Sequence, residues 1–287
     1  MAGRTRVLLQ CSSALVAEDD WHVGRFSLLA GELARWAEVT ARNREPSHTG
    51  EDPVILGLSR AHYEELWILA VDGGVGLTPA ECSAVNRFQR EGGGVLTARD
   101  HGNMGMWLRA LEGVGFANYF NDPSAWEPDV SRHSPDDRET PSILWPNYHS
   151  GRNGDVQRVI AVEPLHPLMR NPNAQSGRIE FFPSHPHEGA VFVAPGDSRA
   201  RTIARGCSQA TGRSFDLAVA FERVPEAPWR AICESSFHHF ADYNCDTARG
   251  APSFVVEPEG DAIRRNPHLL DDIRAYVRNC VEWLAAD

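Results

Sequence analysis

The chain has 287 residues, long for one domain and short for two, so a single enlarged domain spanning residues 1–287 is expected. Hydrophobic residues make up 42% and charged residues 23%, the balance of a globular protein with a large core. A formal net charge of -11 without a basic stripe argues against a nucleic-acid partner and for a small or neutral ligand.

Residues 6–10 (RVLLQ) form a short apolar run and predict a buried strand, followed by a small polar loop over 12–20. Apolar residues at helical spacing predict a helix over 26–36. A second strand is expected at 65–71 (ELWILAV), running into the Gly-rich turn 72–76. That turn reads as a plain turn, because it carries neither Gly-Lys-Ser/Thr nor G-x-G-x-x-G. Thr78-Pro79-Ala80-Glu81 is a helix start: a threonine cap, a proline in the first turn and a glutamate three residues after the cap. This helix should end near Glu91, at the glycines 92–94. A third strand follows at 94–98 (GVLTA), then the turn 100–105 (DHGNMG) and a helix beginning at Met106. Further strands are expected at 159–162, 179–182, 190–194, 216–221 and 229–234, with a terminal helix over 268–285. This alternation predicts an α/β fold: a doubly wound, mostly parallel, flavodoxin-like sheet with helices on both faces. Ligands of such sheets sit beyond the carboxyl ends of the strands, which puts 12–22, 72–76 and 99–105 on one rim. Residues 118–155, rich in Pro, Asp, Ser, Trp and His, are expected to form a lid or insertion, with Trp126, Trp145 and Tyr148 as its packing aromatics.

Six cysteines without a C-x-x-C pair give neither a zinc knuckle nor a thioredoxin-like motif, and read as the reduced thiols of a cytoplasmic protein. No secretory h-region and no apolar run near ~20 residues is present, so a membrane partner is not expected. Chemistry is expected from histidine-bearing turns placed after strands: Asp100-His101, His185/His187/Glu188 and His238-His239 with Asp242, with His22 a weaker fourth. Histidine titrates near neutrality and also ligates metals, and a neighbouring carboxylate orients its ring.

The segment from Leu77 to Gly102 (LTPAECSAVNRFQREGGGVLTARDHG) resembles class I glutamine amidotransferase-like domains, where a helix leads through a Gly-rich bend into the nucleophile strand. Asp100 stands where the cysteine of those enzymes would be, so Cys-dependent glutamine hydrolysis is not expected. VEPLHPLMR (162–170) with His166-Pro167, FFPSHPHEG (181–189) and ESSFHHFADYN (234–244) are similar to segments of the trehalose-utilisation (ThuA-like) branch. In that comparison His101 and His238 match strand-end histidines. A phenylalanine replaces the branch's glycine before His238, and His239-Phe240 replace the Pro-Glu of the amidotransferase triad. The resemblance implies an isomerase-like enzyme of carbohydrate chemistry. Asp100, His101 and His238 would be its catalytic residues. His22, His185, His187, Glu188, His239, Asp242, Trp126 and Trp145 would bind substrate. Two alternatives stand beside it. One is a metal-dependent hydrolase or lyase, with His101, His185, His238 and Asp242 as ligands of a divalent metal. The other is a non-catalytic binding or subunit module. No organic cofactor is called for, and a homo-oligomer is an open expectation.

Overall fold

The computed structural model describes residues 3–14, 17–73, 76–120 and 143–285. Ten strands are described: β1 (Arg6–Ala14), β2 (Glu38–Arg44), β3 (Glu65–Leu69), β4 (Gly94–Ala98), β5 (Val156–Arg158), β6 (Ile160–Ala161), β7 (Phe181–Pro183), β8 (Ala200–Cys207), β9 (Ser214–Phe221) and β10 (Ala231–Glu234). The described helices are α1 (Ser27–Leu33), α2 (Pro53–Leu56), α3 (Pro79–Arg90), α4 (Val114–Ala117), α5 (Asp242–Cys245), α6 (Ala262–Arg265) and α7 (Asp271–Ala285).

Eight strands form one sheet in the order β2-β1-β3-β4-β10-β9-β8-β6, and β5 pairs with β7 in a separate ribbon. From β2 to β10 every pairing is parallel; the pairings β10-β9, β9-β8 and β8-β6 are antiparallel. The doubly wound, mostly parallel sheet is therefore the fold observed. Its parallel half has the 2-1-3-4-5 order of flavodoxin-like sheets, with the topological switch point between β1 and β3.

Alternation along the strands explains the two layers of core. Val7, Leu9, Trp67, Leu69, Leu96 and Ile232 face one layer, where α1 and α7 pack; Leu8, Leu66, Ile68, Val95 and Cys233 face the other, where α2, α3 and α4 pack. Strands buried on both faces read as continuous apolar runs, which is why β3 and β4 were visible in the sequence. α3 starts as its sequence predicts: Thr78 accepts from the Glu81 amide at 3.3 Å, and the Glu81 carboxylate accepts from the Thr78 amide at 2.6 Å.

Several boundaries differ from the expectation. β1 runs on to Ala14, so the loop after it begins later than residue 12. Residues 190–194 form no strand; Val191 makes only isolated bridges to Asn118 and Asp216. β2 and β8 were not expected. Both are polar or arginine-bearing (EVTARNR and ARTIARGC), and β2 is an edge strand whose residues are largely half-buried or exposed. The flanks of the expected lid are packed against the body: Tyr119, 5.3 Å from the Trp145 ring, stacks on Phe192 at 4.4 Å, and Tyr148 stacks on Phe215 at 4.4 Å. The rest of that segment, Trp126 included, lies outside the described residues. Among the described residues no helix is long and apolar enough to cross a membrane.

Candidate active site

The carboxyl ends of the parallel strands open into a cleft of about 670 Å³. β1 contributes Ser13 and Ala14, β2 ends in Arg44, and the turns after β3, β4 and β10 bring Asp72, Asp100 with His101, and Phe237 with His238. His185 and His187 enter from the turn after β7. Trp21, Phe254, Val255 and Glu257 complete the wall.

Asp100 sits at the floor, 1% exposed, immediately beyond β4. Its position is fixed by a sharp turn. The buried Arg99 guanidinium spans this turn, donating to the carbonyls of Gly102 and of Met104, the latter at 3.2 Å. Gly102 and Gly105 adopt φ of +56° and +69°, which the turn needs and glycine tolerates. Asp100 Oδ1 accepts from Ser236 Oγ at 3.1 Å. Around Oδ2 lie three imidazole nitrogens: Nε2 of His238 at 3.4 Å, and Nε2 of His101 and of His185 at 3.5 Å each. Burial by itself raises the Asp100 carboxyl; only positive charge beside it, as on protonated His101, His185 and His238 rings, pulls it well below the usual carboxylate range, so its ionised form calls for a positive neighbour. Burial pushes His185 well below its ordinary value and lowers His101 as well, so both rings are neutral near pH 7.

The far sides of two rings are held by an amide pair. His238 Nδ1 lies 2.9 Å from Asn244 Oδ1, and His185 Nδ1 lies 3.2 Å from Asn153 Oδ1. Asn244 Nδ2 donates to Asn153 Oδ1 at 2.8 Å and to the Ser184 carbonyl at 2.9 Å. The rings of His185 and His238 stack 3.4 Å apart, and Trp21 closes on His238 edge-on at 4.9 Å. On the opposite wall His187 Nε2 meets Glu257 Oε1 at 3.0 Å.

The expected residues thus divide. Asp100, His101, His185, His187 and His238 meet in the cleft. Glu188 and His239 do not line it. They lie behind the floor as a fully buried pair, His239 Nε2 at 2.6 Å from Glu188 Oε1, with Glu234 at 3.6 Å from Nδ1. Gln157 and Ser235 donate to Glu188 at 2.6 and 3.0 Å. Burial works against the charge on His239, but Glu188 and Glu234 outweigh it and push the ring up to about 9, which favours its protonated form. Asp242 does not reach the cleft either: its carboxylate accepts from Ser27 Oγ at 2.5 Å and from the Leu28 amide at 2.8 Å, anchoring the first turn of α1. His22 caps a neighbouring turn by accepting from the Gly24 amide at 3.1 Å, and the buried Trp145 packs on Tyr119. The donor set suited to a metal is accordingly Asp100, His185 and His238, whose ligand atoms lie within 4.8 Å of one another; Asp100 takes the place of the expected Asp242, and the expected His101 is not among them. Asn153, Asn244, Ser236, Glu257 and Trp21 were not among the expected site residues; Asn244 and Ser236 fall within the 234–244 segment but carry no charge to signal a role.

No protein-family model matches the chain, and no curated protein matches it. Among solved structures the chain is similar to a ThuA-like protein of Parabacteroides merdae ATCC 43184, at 11% identity and a TM-score of 0.48, covering 99% of this chain and 91% of that one. It is also similar to a cytoplasmic protein of Salmonella typhimurium, at 11% identity and a TM-score of 0.43, covering 97% and 98%. A third, the N-terminal domain of mmIFT52, has 11% identity and a TM-score of 0.46, covering 83% and 89%.

Proposed function

We propose that this chain is an enzyme that moves a proton on a small, uncharged, hydroxyl-bearing substrate, a sugar or sugar derivative, at the floor of the cleft. One observation carries the reading: three imidazole nitrogens converge on one oxygen of a buried, ionised carboxylate at the carboxyl edge of a parallel sheet. Burying that many polar groups costs free energy, and a plain binding or subunit surface gains nothing from it. His101 is the proton-transfer group, because its side chain keeps 26% exposure while Asp100 holds the ring from below. Asp100, His185 and His238 form the fixed, water-poor anchor for a substrate oxygen.

The lining supports a neutral substrate. Asp20, Asp72, Asp100 and Glu257 face the cleft, and its arginine, Arg44, is already paired with Glu81 at 2.9 Å. An anionic substrate would meet carboxylates, whereas sugar hydroxyls would find acceptors there and an apolar face on Trp21 and Phe254. Thiol chemistry has no residue in place: none of the six cysteines lines the cleft among the described residues.

The test follows proton transfer directly. Neutral aldoses, ketoses and keto-sugars are incubated with the protein in D2O, and deuterium entry at carbon is followed by NMR. The expected result is exchange on at least one sugar, slowed ~10²–10⁴-fold in His101→Gln with binding retained. Absence of exchange across the panel would contradict the reading.

A further inference from the structure

The amide pair beside the stacked histidines fixes their tautomers. A backbone carbonyl can only accept, so the Asn244 atom facing the Ser184 carbonyl at 2.9 Å is its NH2 group. Its Oδ1 therefore faces His238 Nδ1, and that nitrogen must carry the hydrogen. The second N–H of Asn244 points at Asn153, so Asn153 presents Oδ1 to it. The same oxygen then accepts from His185 Nδ1. With Nδ1–H fixed on both rings, each ring in its neutral form has a bare Nε2 on the side of the same carboxylate oxygen.

Two bare nitrogens facing one carboxylate oxygen repel it unless something positive stands between them. His185 Nε2 is buried, and its contact with Asp100 Oδ2, at 3.5 Å, is longer than a normal hydrogen bond. A cation about 2.0–2.2 Å from each of several tetrahedral ligands sets neighbouring ligand atoms about 3.4 Å apart, close to the 3.4 and 3.5 Å between each nitrogen and Asp100 Oδ2, while the two rings, stacked 3.4 Å apart, have to splay for both lone pairs to meet one ion. The asparagines bonded to Nδ1 are the outer partners that metal-bound histidines ordinarily have. Ser236 does the same for the carboxylate through Oδ1.

We infer that Asp100, His185 and His238 hold a divalent first-row transition metal, of which zinc is the reference, through Oδ2 and the two Nε2 atoms. This inference rests on the cleft's being the reaction site proposed above. Two histidines and one carboxylate leave coordination positions open toward the cleft, where a substrate carbonyl or hydroxyl oxygen would bind and be polarised. His101 and His187 stand outside the donor set, on the walls beside the open positions.

Untagged protein is stripped with chelator, and Zn2+ and Co2+ are added in turn, with calorimetry for zinc and the visible absorption of cobalt as readouts. One equivalent per chain is expected, with cobalt bands showing nitrogen and oxygen ligation. His238→Ala and Asp100→Asn should weaken zinc binding at least 100-fold. Asn244→Ala, which leaves the ligands in place, should weaken it ~10–100-fold. His268→Gln, at an exposed histidine outside the cleft, should leave binding unchanged. Circular dichroism confirms that each variant is folded, and Asn244→Ala keeps the test open if a ligand variant is not. Absence of binding of either ion by the folded parent, or equal affinity in the parent and the ligand variants, overturns the inference. Metal binding without deuterium exchange on any sugar would sink the proton-transfer reading instead, and exchange without metal binding would sink only the metal site.

Discussion

Glu257 is the residue whose titration can be read most directly. Its hydrogen bond with His187 at 3.0 Å pulls its carboxyl from the usual 4.5 down to about 2, against the opposing effect of burial. A carboxylate whose folded value lies below its unfolded one stabilises the fold above the unfolded value, and that contribution disappears as pH falls through the folded one. The Glu257 contribution is therefore complete above about pH 4.5 and lost on the way to pH 2. Melting temperatures recorded across that window should fall less steeply for Glu257→Gln than for the parent. Parallel curves would show that the Glu257–His187 contact contributes nothing in solution. At this scale the sequence was partly legible. A histidine at a strand end announces itself, but Asn153 and Asn244 are 91 positions apart and uncharged, and nothing local shows that they share a hydrogen bond. His239 and Asp242 were misplaced for the opposite reason. His239 adjoins His238 in the tight turn Phe237–His239 but its ring meets Glu188 behind the floor, and Asp242 begins the next helix, where its carboxylate turns to α1.

At the scale of elements, the turn after β7 supplies two of the cleft's histidines, and Gly189 lets it lie against the sheet. A Cβ at that position would come within 2.5 Å of the Ser235 carbonyl oxygen and 2.6 Å of the Asp100 carbonyl oxygen. Both obstacles are backbone at the ends of strands, so the turn must move, carrying His185 and His187 with it. Gly189→Ala should cost about 1–3 kcal/mol, the range for an overpacked core. Gly31→Ala within α1, where a Cβ meets nothing within 4 Å, should be neutral or slightly stabilising. Equal denaturation midpoints for the two variants would show that the close approach is not enforced. The elements themselves were legible where one physical rule dominated: the capping box at Thr78, and the continuous apolar runs of β3 and β4. β8 escaped because its pattern is arginine-bearing and its pairing antiparallel, and its partners β9 and β6 lie on both sides of it in the sequence.

Across the whole molecule, the chain uses one half of its sheet for placement and the other for support. The five parallel strands deliver Ser13, Arg44, Asp72, Asp100 and His238 to a common edge, as the doubly wound order dictates. The antiparallel half carries no cleft residue among those described. Behind the floor, His239 and its partners Glu188 and Glu234 brace β10 against the turn after β7. The general position of the site followed from the fold class alone, since the carboxyl edge is where such sheets bind. Its chemistry did not, because the lone-pair geometry depends on which atom of Asn244 faces the Ser184 carbonyl. That dependence also makes the account testable without a substrate or a metal. Long-range nitrogen–proton correlation NMR, at about pH 8 where imidazoles are neutral, assigns the tautomer of each ring. His185 and His238 are predicted to carry their hydrogen on Nδ1, with Nε2 bare; a proton on Nε2 of either ring would contradict the arrangement on which the site is built.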